Sequence, residues 1–139
     1  MKSLLFSTTL IAFSLFIAAC GGGATGTSMK TIAEKKVNDN LTVSIMNADG
    51  KLKNGEQDIT LKFTDGSGNP VEIEAAALNF NMPAMGSMAE MNDAATLTTT
   101  GTPGEFNGKV SLQMAGEWQA QISYEGKESG KTSISTTAY

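Results

Sequence analysis

The residues with the clearest chemistry lie in Asn81–Asn92, which reads NMPAMGSMAEMN. Met82, Met85, Met88 and Met91 stand three residues apart, in a chain with only eight Met. A thioether is a soft, neutral donor that suits Cu(I) and not Zn(II), Ca(II) or Mg(II). It has no proton to lose, so it can bind in mild acid, where thiolates and imidazoles compete with protons. Two to four such sulfurs on a loop match a d10 ion that takes trigonal or tetrahedral geometry. Pro83 and Gly86 point to a loop and not a regular strand. Two other readings stay open on the residues alone. The spacing also fits one face of a short helix packed on a core, and a Met-rich loop can serve as an adaptable hydrophobic patch that docks a partner. Glu90 and Asp93 flank the run as expected solvated carboxylates, which are poor Cu(I) ligands.

Other chemistries lack their residues. The chain has no His, which removes Ser–His and Cys–His nucleophilic arrangements and His-ligated zinc. Its single Cys is Cys20, so no disulfide can form within it. Ten cationic residues, all Lys, face fourteen acidic ones. Without Arg and with a net charge of −4, no nucleic-acid partner is expected. Neither an enzyme nor any catalytic residue is expected.

Cys20 carries chemistry of another kind. Lys2 precedes an apolar run, Leu4 to Ala19, that ends in Ile17-Ala18-Ala19-Cys20. The run has the length of a signal h-region and is short for a membrane span. Small residues before Cys resemble a lipobox. Residues 1–19 are therefore expected to be a lipoprotein signal peptide and Cys20 a lipidated N-terminus that anchors the protein to a membrane without spanning it. Residues 20–39, opening with Gly21-Gly22-Gly23, are expected as a flexible tether, and residues 40–139 as one folded domain. The expected location is the cell envelope. Gly21, where Asp would be the retention signal, points to the outer membrane, periplasmic side, in a cell with two membranes.

Period-two alternation dominates the rest. Leu41, Val43 and Ile45 share one face of a first strand, and Ile59, Leu61 and Phe63 one face of a second. A turn cluster, Asp65 to Pro70, leads to a strand over Val71–Phe80 whose Ala75-Ala76-Ala77 suggests a bulge or bend. Strands follow over Ala95–Thr100, Phe106–Met114, the stretch bearing Trp118, Ala120, Ile122 and Tyr124, and Thr132–Thr137. Trp118 is expected in the core, with an aromatic wall over a cation as the alternative. About seven short strands with no convincing helix predict an all-β fold. The expected form is an immunoglobulin-like antiparallel β-sandwich, with a small barrel as the alternative.

Four stations occur in order. They are Asp65-Gly66-Ser67-Gly68-Asn69-Pro70-Val71, Met82-Pro83-Ala84-Met85, Pro103-Gly104-Glu105-Phe106 and Gly116-Glu117-Trp118. Their sequence resembles the YtkA-like domain family, with its "DxxGxPV", "MPxM", "PGxY/F" and "GxW" stations, over roughly residues 40–135. The resemblance implies an immunoglobulin-type sandwich that handles copper outside the cytoplasm, alone or beside efflux and oxidase-assembly proteins. It places Met82 and Met85 as Cu(I) ligands. Many relatives carry a His shortly after that motif. Ser87 and Met88 stand there in this chain, which points to an all-thioether site for Cu(I) rather than one for Cu(II).

Overall fold

The described residues fold into eight strands: β1 (Lys30–Asn38), β2 (Leu41–Asn47), β3 (Gly55–Thr64), β4 (Ile73–Met82), β5 (Met91–Thr99), β6 (Glu105–Leu112), β7 (Gly116–Gly126) and β8 (Gly130–Ala138). The structure is a computed structural model that describes residues 28–139. The expected signal peptide, Cys20 and the tether as far as Thr27 lie outside the described residues. The strands run in the order β1-β2-β3-β6-β5-β4-β7-β8, and every named pairing is antiparallel. β5 is where the sheet folds over. Met91 to Ala95 pair with β4, and Thr96 to Thr99 pair with β6. The two halves then enclose one core. Phe63 on β3 meets the Tyr124 ring of β7 at 5.5 Å between centroids and Phe106 edge-on at 6.2 Å.

The outer edges come close enough to make the sheet nearly closed. The Lys35 ammonium on β1 donates to the Ser133 carbonyl on β8 at 2.9 Å, and the Asn38 amide donates to Glu128 at 3.1 Å. The fold is all-β and antiparallel, as the alternation predicts. It is compatible with an immunoglobulin-like sandwich and has the near closure of a barrel. It has one strand more than the expected seven. β1 occupies residues assigned to the tether, which corrects the expected 20–39 boundary: the folded part begins at Lys30. The reason is compositional. KTIAEKKVN shows no clean alternation, and only Ile32, Ala33 and Val37 pack on the core. Lysines on an edge strand also discourage pairing with other chains.

Alternating strand directions give the sheet two distinct ends. One collects the start of β1, the 48–54 loop, the 83–90 hairpin, the 113–115 corner and the exit of β8. The other collects the 39–40, 65–72, 100–104 and 127–129 turns. At this second end Asp65 organises its own turn. Its carboxylate accepts the Ser67 N–H at 2.8 Å, the Asn69 N–H at 2.9 Å and the Asn69 side-chain amide at 3.2 Å. These bonds, the Asn69 main chain first, hold the Asp65 carboxyl below its ordinary pKa. The folded state therefore favours the ionised form. The stability it contributes is complete above about pH 4, the unfolded value, and is lost as pH falls through the lower folded one. Asp65→Ala should lower the urea midpoint at pH 7, and the gap from wild type should close in acid. A gap independent of pH would show that the charge does not hold the turn.

Candidate functional site

The Met run forms a β-hairpin between β4 and β5. The ladder pairs Phe80 with Asp93, Asn81 with Asn92 and Met82 with Met91. The arms leave it at Pro83-Ala84 and Ala89-Glu90, then close again where Met85 faces Met88. Each of those two donates its N–H to the other's carbonyl, at 3.2 and 2.9 Å. Gly86 and Ser87 make the turn, and Gly86 takes a φ of 58°, a conformation that costs Gly little.

This geometry overturns the helical alternative. Spacing of three does not stack four Met on one helix face; it makes two cross-strand pairs, Met82 with Met91 and Met85 with Met88. Directly opposed residues share a face with Cβ atoms about 4.5–5.5 Å apart. Three is an odd number, so where the pleat continues the two pairs point to opposite faces. Burial agrees. Met82 is 3% exposed, and its terminal methyl packs on Gly116. Met91 is half-buried against the core. Met85 and Met88 are 57% and 39% exposed. Met85 borders a surface depression with Pro83, Glu117, Gln119 and Ser135, outside the sheet. The structure thus brings the four Met together as two pairs and not as one cluster.

The hairpin base is held by amides that the sequence reading did not single out. The Asn81 amide donates to Glu90 at 2.5 Å and to Asn92 at 3.0 Å, and the Asn79 amide donates to Asn92 and Gln121. Asp93 accepts the Gln113 N–H at 3.0 Å and its side-chain amide at 2.8 Å, tying the 113–115 corner to β5. Glu90 and Asp93, expected as solvated carboxylates, are also structural acceptors; Glu90 stays exposed and Asp93 is half-buried. A usable signal was present: amides at Asn79 and Asn81, two apart on a strand, with Asn92 just past the hairpin.

Trp118 is 1% exposed, and its indole N–H donates to the Met114 carbonyl at 3.1 Å. It fills the core and buttresses the corner beside the hairpin, and Met114 packs half-buried against the same core. Among the described residues no three His, Cys, Asp or Glu side chains are placed to hold a metal. The soft donors this hairpin offers to an ion from solvent are the Met85 and Met88 thioethers, which fit a soft monovalent ion; the nearby Glu90 carboxylate accepts from the Asn81 amide.

A family model described as YtkA-like matches residues 35–123. No curated protein and no solved structure gives a significant match.

Proposed function

Since that match spans well over half of the chain, the protein belongs to the YtkA-like family, and from that premise we propose a lipid-anchored envelope module that binds Cu(I) through its Met hairpin for copper handling or efflux. The observation that carries the reading is the exposed Met85–Met88 pair, two thioethers on one face of a hairpin tip. Their exposure suits an ion that arrives and leaves as cargo. Met82 and Met91 form the second pair at the hairpin base, where burial restrains Met82. The module holds or passes the ion and performs no reaction, and its partner is an envelope copper-handling or efflux protein.

A Cu(I) competition titration of the domain from Met29 onward tests this, against a chromophoric chelator under anaerobic reductant. Wild type should withdraw about one equivalent, a stoichiometry set by the few sulfurs available. Met85→Leu/Met88→Leu keeps the apolar volume, removes both tip sulfurs and should lose most of that uptake. Met82→Leu should keep it, at a stability cost below about 1.5 kcal/mol. If Met82→Leu abolishes uptake and the tip variant does not, the base pair is the site.

The same exposure favours a second reading, in which the tip is a hydrophobic patch that docks an envelope protein without metal. It becomes the leading one if wild type withdraws no copper. Docking should survive the Leu variant, because Leu preserves the apolar surface.

A further inference from the structure

We propose that the hairpin end of the domain rests on the lipid bilayer, with Met85 and Met88 dipping into the headgroup layer. The proposal rests on the lipid-anchor reading of Cys20 and adds an orientation to it. Two observations carry it. First, the chain enters the domain at Lys30, at the end that also bears the Met hairpin. Only nine residues, Gly21 to Met29, separate Lys30 from Cys20, which caps their reach at about 30 Å. A nine-residue strand such as β1 is itself about 30 Å long. The opposite end could meet the bilayer only on a tether drawn taut, whereas the hairpin end lies within easy reach.

Second, the large apolar side chains exposed among the described residues are Met29, Met85, Met88 and Tyr139. All four sit at this end. The tip from Pro83 to Ala89 is exposed throughout and carries no charge. Flexible thioethers and a Tyr ring suit the boundary between headgroups and acyl chains. The Lys51 ammonium lies 5.3 Å from the Tyr139 ring, a cation placed beside that apolar surface.

The test uses the full lipidated chain, reconstituted in phosphatidylcholine vesicles containing phosphatidylglycerol. Lipidation consumes the only native thiol, so one introduced Cys takes one environment-sensitive fluorophore. Ser87→Cys labels the hairpin tip and Ser67→Cys the opposite end; both positions are exposed. The tip label should be quenched by nitroxide lipids and be several-fold less sensitive to iodide than the Ser67 label. Adding Met85→Ser/Met88→Ser should remove that protection. A tip label as open to iodide as its counterpart, in protein that floats with the vesicles, overturns the orientation alone. Protection from iodide without quenching by lipid nitroxides points to self-association and also overturns it. A full chain that does not float with the vesicles overturns the anchor reading, and the orientation with it.

Discussion

Gly104→Ala is expected to lose about 3 kcal/mol or more of stability and to accumulate largely unfolded, because strain and a backbone clash act together. Gly104 takes a φ of 66° between β3 and the chain just before β4. A Cβ there would stand 2.1 Å from the Val71 carbonyl oxygen and 3.1 Å from that of Phe63. Both obstacles are backbone and cannot rotate away. The Gly104 carbonyl also accepts the Phe63 N–H at 2.8 Å, so moving the loop aside breaks the contact that seats it. Gly101→Ala isolates the conformational part: its φ is 87° with nothing within 4 Å of the added atom, so about 1–2 kcal/mol is expected. Urea unfolding followed by the fluorescence of Trp118, the only Trp in the chain, measures both. Equal losses in the two variants would show that the close approach at Gly104 carries no weight.

Gly104 and Gly116 explain what the short sequence stations are for. The Pro70-Val71 station and the Pro103-Gly104 station touch each other at the end opposite the hairpin, Gly104 against the Val71 carbonyl. At the hairpin end the Met82 methyl packs on Gly116, and the Trp118 indole reaches back to Met114. The four stations therefore make two contacts, one closing each end of the sheet. Three of them are architectural. The "MPxM" station is divided: Met82 belongs to the core, and Met85 faces solvent.

The sequence showed most plainly whatever a half-buried strand imposes on it. Ile59, Leu61 and Phe63 on β3, and Trp118, Ala120, Ile122 and Tyr124 on β7, are all buried as their alternation demands. The irregularity suspected within Ala75–Ala77 falls just before it, as a register shift between Ile73 and Ala75 in the β4–β7 pairing, while the three alanines pair regularly. β1 was illegible because an edge strand buries little, and its lysines imitate a tether. The Met run was legible as chemistry but not as geometry. Its spacing of three suggests a helix face or a single cluster. The register of a hairpin, set by a two-residue turn that local periodicity does not reveal, sorts the same residues into a core-facing pair and an exposed one. The amides beneath the hairpin were missed because Asn and Gln are common in loops, and their mutual bonding depends on strands joined by that register.

Trp118→Ala should cost about 3–5 kcal/mol, the usual range for emptying the site of a fully buried large aromatic. Trp118→Phe keeps a ring in the core but leaves the Met114 carbonyl without its donor, a smaller loss of about 1–3 kcal/mol. Both variants remove the fluorophore, so circular dichroism against urea is the measurement. The difference between them separates packing from the hydrogen bond. The Phe variant also discriminates between two places for copper. If Cu(I) sits on the Met85–Met88 pair outside the sheet, a folded Trp118→Phe protein should withdraw as much copper as wild type, since neither sulfur touches the core. If uptake disappears while the fold persists, the ion lies inward beside the indole and Met82. Trp118 would then be the aromatic wall of the site, the alternative to a purely structural place in the core, and the hairpin would have to open to admit its cargo.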